Sequence, residues 1–153
     1  LVKDMEVQEP VQDAPATVAA PASKVEGSPL ESPCLKALGD TGFVDIALGL
    51  GYCMNDESFY IEMLEEYCAE DKASELDAYL AAGDFENYRI QVHALKSSSL
   101  TVGALDLSSE AKVLEFACRD GKYEIVRANH EDVARRYRNF VKVLKELLDG
   151  RAD

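Results

Sequence analysis

The sequence predicts an all-α protein: an antiparallel, up-down four-helix bundle with an additional short N-terminal helix. Three observations carry this. No proline follows Pro33, and proline is the residue that most strongly breaks helices. The same stretch repeats apolar residues at spacings of three and four. The alternating pattern that would mark strands is absent.

The chain has 153 residues and divides by composition. All five prolines (Pro10, Pro15, Pro21, Pro29, Pro33) stand in its first 33 residues, which hold no aromatic side chain. Such a segment buries too little apolar surface to offset its ordering entropy. Residues 1–37 therefore read as a flexible, acidic, Pro/Ala-rich linker. Residues 38–153 read as the folded domain, long enough for one core.

The elements follow in order. Residues 41–52 form a weak amphipathic stretch (Phe43, Ile46, Leu50), interrupted by Gly49 and Gly51. Asn55 or Asp56 can cap the next helix, which runs to about Cys68 with Phe59, Tyr60, Met63, Leu64 and Tyr67 inward. A helix over about 71–82 carries Leu76, Tyr79 and Leu80 and stops at Gly83. Asp84 caps the next one, whose seam is Phe85, Tyr88, Val92, Leu95, Ser99 and Val102. A segment over about 104–119 carries Leu107, Ala111, Leu114 and Cys118. The last, about 122–149, carries Val126, His130, Val133, Tyr137, Phe140, Leu144 and Leu147. Short connections between long helices make sequential neighbours antiparallel.

Charge and cysteine usage exclude several functions. The chain carries 16 basic and 29 acidic residues, a net charge of −13. That surface opposes nucleic-acid binding, which needs clustered Lys and Arg, and direct contact with an anionic membrane. Cys34, Cys53, Cys68 and Cys118 show no C-x-x-C spacing, so they read as reduced, mostly packed thiols of a cytoplasmic protein. No apolar run approaches the length of a membrane span. The chain opens on Leu1, which reads as a segment of a longer parent that can itself be membrane-anchored.

The chemistry concentrates in His93-Ala94-Leu95-Lys96-Ser97-Ser98-Ser99. At about 100° per residue, His93 lies roughly 130° from the centre of the apolar seam and faces outward. Arg89, Lys96, Ser97 and Leu100 share its stripe at i−4, i+3, i+4 and i+7. Imidazole is a nucleophile that is largely neutral near neutral pH. Lys96 can offset charge on phosphoryl oxygens, since phosphoryl transfer depends on positioning and electrostatics. Ser97 and Ser98 leave room for a partner to close over His93. Leu100 and Ile90, apolar yet off the seam, read as a small docking patch. His130 falls on the apolar stripe of the last helix and reads as a packed, hydrogen-bonded core histidine.

From about Asp40 to Leu148 the chain resembles the histidine-containing phosphotransfer domain of bacterial phosphorelays. The family pattern is H-x-x-K-G followed by small residues. His93 and Lys96 match its histidine and lysine; Asp84-Phe85 before, Gly103-Ala104 after, and Ala111, Leu114 and Glu115 beyond are also similar. Ser97 departs from the family's glycine, which bears on transfer rate and partner choice.

The resemblance implies that His93 accepts a phosphoryl group from a receiver-domain aspartate and passes it to another receiver. The domain itself needs no cofactor, and Mg²⁺ comes with the receiver. It implies a phosphoryl carrier and not an enzyme, with kinase domains of a hybrid sensor kinase parent as further partners. Two alternatives stand beside it: an adaptor that binds receivers without carrying phosphate, and direct phosphorylation by a kinase ATP-binding domain. A metal-binding bundle enzyme is disfavoured, because Ile90 and Arg127 stand where Glu-x-x-His pairs need glutamate.

Overall fold

The computed structural model describes residues 30–150. Most of the segment read as a linker, residues 1–29, lies outside the described residues. Seven helices follow one another: α1 (Pro33–Asp40), α2 (Ile46–Tyr52), α3 (Glu57–Ala69), α4 (Lys72–Ala82), α5 (Phe85–Thr101), α6 (Leu105–Arg119) and α7 (Tyr123–Asp149). Among the described residues there is no strand.

Four helices close a ring. α4 packs on α5, α5 on α6, α6 on α7, and α7 returns to α4. α3 packs along α7. α1 lies on α7, and α2 bridges α1, α3 and α5. The short connections force the reversals. Gly83 ends α4 in the left-handed conformation (φ +69°), and the Asp84 carboxylate then accepts from the Asn87 N–H, 3.2 Å, to start α5. Asp56 and Asp71 cap α3 and α4 in the same manner, satisfying N–H groups that a helix start leaves unpaired.

The Gly103 turn joins α5 to α6 and also anchors α2. Its carbonyl accepts from the Asp45 N–H at 2.8 Å. Its φ is +87°, and a Cβ there would stand 2.4 Å from the Asp45 carbonyl oxygen. Only glycine meets both demands.

The core runs the length of the ring. Tyr60, Leu64, Leu76, Tyr88, Val92, Leu95, Leu114, Phe140 and Leu144 are fully enclosed. Tyrosines serve it with both ends: the Tyr60 hydroxyl donates to the Val102 carbonyl at 2.7 Å, and the Tyr67 hydroxyl pairs with Ser99 Oγ at 2.7 Å. Buried hydroxyls that find partners add apolar area without the cost of an orphaned polar group.

Two expectations need correction. The boundary expected between residues 37 and 38 falls inside α1. Proline at the first helical position is compatible with a helix, since its missing N–H would be unpaired there anyway, and Ser32 caps α1 by accepting from the Leu35 N–H at 3.2 Å. Leu35 and Leu38 are fully buried, each contributing on the order of 1.5–3 kcal/mol. The N–H groups of Glu31 and Ser32 donate to the Glu57 carboxylate at 3.0 and 2.9 Å, tying this end to α3. Phe59, expected inward, is 37% exposed. The inward face of α3 is instead Tyr60, Leu64, Tyr67 and Cys68.

Candidate functional site

Burial of Tyr88, Val92, Leu95 and Ser99 fixes the rotation of α5. That rotation turns His93 outward, with 56% of its side chain exposed. α6 supplies the group beside it. Leu114 is buried in the core, so its neighbour Glu115 emerges at the edge of the α5–α6 interface. Glu115 Oε2 lies 2.8 Å from His93 Nδ1, and Oε1 lies 2.7 Å from Lys96 Nζ. One carboxylate thus holds both residues. It is only 12% exposed, against 24% for the Lys96 side chain. Oε1 is shut off from solvent, and the Lys96 ammonium is its counter-charge.

The electrostatics set the tautomer. Burial pushes the Glu115 carboxyl up, but the bonds and charges of Lys96 and His93 outweigh it and leave it below its ordinary value. An ionised carboxylate can only accept, so Nδ1 donates. In the neutral ring, Nε2 then carries the lone pair, and among the described residues it has no hydrogen-bond partner.

The model of the Hpt domain family matches residues 60–151 of the chain. The chain belongs to the Hpt domain family. An X-ray structure of a rice protein, described as a candidate histidine-containing phosphotransfer protein, superposes with a TM-score of 0.57 at 20% identity. The match covers 76% of this chain and 88% of that one. At this identity the likeness is one of fold. A comparison with curated proteins gives no match. The chain is a phosphotransfer domain built as a helical bundle.

Within this Hpt domain the other residues singled out from sequence are spread along α5. Ile90 is 53% exposed and Leu100 half-buried. Ten positions at about 1.5 Å rise set them roughly 15 Å apart, so they flank His93 and do not form the single patch expected. Arg89 is half-buried, and its charge reaches the Cys118 thiol. Ser97 is exposed, and its carbonyl accepts from Thr101 Oγ1 at 3.0 Å. Ser98 Oγ turns back to the Leu95 carbonyl at 3.3 Å. Ser108 Oγ on α6 donates to the Lys96 carbonyl at 2.9 Å, pinning the helices together at this level.

The second histidine has a different setting. His130 is buried, its Nδ1 2.8 Å from the Tyr88 hydroxyl and its Nε2 2.6 Å from Asp77 Oδ1. Arg138 holds the other Asp77 oxygen at 2.6 Å. This chain of bonds links α4, α5 and α7 and is the packed, hydrogen-bonded arrangement that its position on the apolar stripe predicts.

Glu115 was not among the residues assigned a site role from sequence, yet a signal was there. It stands in the Ala111, Leu114, Glu115 segment that is similar to the family pattern, directly after Leu114 on the buried seam of α6. Among the described residues no three His, Cys, Asp or Glu side chains converge as a metal site. No helix among them is long and apolar enough to cross a membrane.

Proposed function

We propose that His93 is the phosphoryl acceptor of a phosphorelay, taking the group from a receiver-domain aspartate and handing it to a second receiver. The observation that supports this most directly is the 2.8 Å contact between His93 Nδ1 and Glu115. It leaves Nε2 outward, exposed and unprotonated in the neutral ring, as a nucleophile must be.

The step balances without loss of a proton. The Nε2 lone pair attacks phosphorus, the bond from phosphorus to the aspartyl oxygen breaks, and that oxygen leaves with its electron pair as carboxylate. The ring becomes cationic with hydrogen still on Nδ1. Glu115, already ionised, stabilises that charge where it forms, as the orienting carboxylate of a triad does. Lys96 stands one turn away to meet the phosphoryl oxygens. The return step reverses the same bonds. Mg²⁺ and the aspartate belong to the receiver; this chain supplies orientation and charge.

A receiver closes over the stretch of α5 on either side of His93, with Arg89 and Ile90 before it and Ser97, Ser98 and Leu100 after it. Ser97 is small and exposed, which keeps access to Nε2 open. In this role the domain works in the cytoplasm, joined to or fed by the kinase domains of a sensor kinase.

The test is transfer of labelled phosphoryl from phosphorylated receivers to wild type and to His93→Gln. Acid-labile, base-stable label on wild type alone supports the acceptor role. Receiver binding without label on wild type would replace it with the adaptor role.

A further inference from the structure

Beside Glu115 stands an aromatic ring ringed by cations. Phe116 has Lys96 Nζ 5.7 Å from its centroid, Lys112 Nζ at 5.5 Å and the Arg119 guanidinium carbon at 4.4 Å. In a chain of net charge −13, three cations meeting at one ring is a marked local reversal of sign. Lys112 and Arg119 stand at i−4 and i+3 on α6, the spacings that bring side chains onto one helical face. Lys96 alone comes from α5. It reaches across the interface to Glu115 Oε1 at 2.7 Å and to the same ring.

Each contact has a separate role. Glu115 neutralises the ammonium but is shared with His93. Lys112 and Arg119 repel it; Arg119 is itself paired with Asp120 Oδ1 at 3.2 Å, and among the described residues Lys112 forms no ion pair. The negative face of an aromatic ring offsets such repulsion when a cation lies within about 6 Å of the centroid.

We propose that Phe116 is a positioning residue for Lys96. The ring confines the ammonium to the gap between α5 and α6, beside Glu115 and one turn from His93. From there it meets a phosphoryl group on Nε2 with little loss of side-chain freedom at the moment of transfer. This rests on the acceptor role proposed above for His93.

The experiment compares wild type, Phe116→Leu, Phe116→Tyr, Lys96→Ala and the double variant Phe116→Leu/Lys96→Ala. Two quantities are read: the initial rate of labelling by a phosphorylated receiver, and the NMR shifts of the Lys96 ε-methylene protons. In wild type those protons are expected upfield of free lysine through the ring current, a readout that needs no variant. Phe116→Leu should abolish the upfield shift and slow labelling about three- to fivefold, the size of an exposed cation–π contact. Phe116→Tyr should restore both, and in the Lys96→Ala background Phe116→Leu should have no further effect. Unshifted Lys96 protons in wild type, or a Leu variant that labels at the wild-type rate, would overturn the proposal. If wild type itself takes no label, the acceptor role fails, and the proton shifts still report whether the ring holds Lys96.

Discussion

His93 Nδ1 and Glu115 Oε2 stand 2.8 Å apart across the α5–α6 interface, 22 positions apart in the chain. The contact assigns the two ring nitrogens different tasks. In the acceptor role proposed for His93, it also places a half-buried negative charge where positive charge would develop as the other nitrogen takes a phosphoryl group. Charge-assisted bonds of this kind contribute about 1.5–3 kcal/mol.

Glu115→Gln keeps an acceptor oxygen but loses the charge. Labelling by a phosphorylated receiver should slow by about tenfold or more, while circular dichroism stays that of wild type. An unchanged rate would remove Glu115 from the mechanism. The carboxyl is held below its ordinary value, so its contribution to folding is present above the ordinary carboxylate pKa and lost as pH falls through the lowered one. Urea unfolding of wild type and Glu115→Gln, followed downward from neutral pH, should therefore converge in strong acid.

The two histidines should respond in opposite ways. His93→Gln, on an exposed face, should stay within about 1 kcal/mol of wild type in urea and take no label. His130→Ala removes the partner of Tyr88 and of Asp77 and leaves a cavity. It should cost about 3 kcal/mol yet still accept label at low temperature. Equal stability of the two variants would show that the buried network contributes nothing.

Gly103→Ala should be among the most damaging single-methyl changes. The new Cβ would meet the Asp45 carbonyl at 2.4 Å with the backbone at φ +87°. A loss of about 2–4 kcal/mol is expected, seen as a lower melting temperature. Gly83→Ala, with the same sign of φ and nothing within 4 Å, should cost only about 1 kcal/mol. Comparable melting points would mean that the α2–α5 anchor is slack.

Alkaline unfolding should be late and cooperative. Burial pushes the Tyr137 phenol from 10.0 up to about 12, the Lys72 N–H partly opposing it. Tyr60, Tyr67 and Tyr88 are pushed up as well, burial again the largest cause. A raised folded-state pKa gives stability that is whole below the unfolded value and lost as pH rises through the folded one. Helix content should therefore hold to about pH 10 and fall toward 12, together with the appearance of tyrosinate absorbance. Tyrosinate from buried rings without loss of helix would contradict the packing.

The long helices were legible because their signals are local. Asp56 and Asp84 cap where the sequence places caps. Gly83 ends α4, and the seam of Tyr88, Val92, Leu95 and Ser99 is buried as its spacing demands. α1 was hidden by composition: Pro29 and Pro33 read as linker, whereas Pro33 opens a helix that Leu35 and Leu38 hold to α7 and α2. Phe59 misled for a related reason. Its size suggests core, but the choice between adjacent Phe59 and Tyr60 is made by what α2 and α5 present, and Tyr60 is the one with Val102 to bond.

By itself the sequence determined an all-helical chain, the outward direction of His93 and the nearness of Lys96, because helical periodicity is a property of neighbours three and four apart. It also carried the motif by which the phosphotransfer family is recognised. Only the tertiary structure decided that Glu115 holds both His93 and Lys96, that Phe116 gathers three cations, and that His130 is locked between Tyr88 and Asp77. Those contacts join side chains from different helices. Their distances depend on how the bundle packs, which no local pattern encodes.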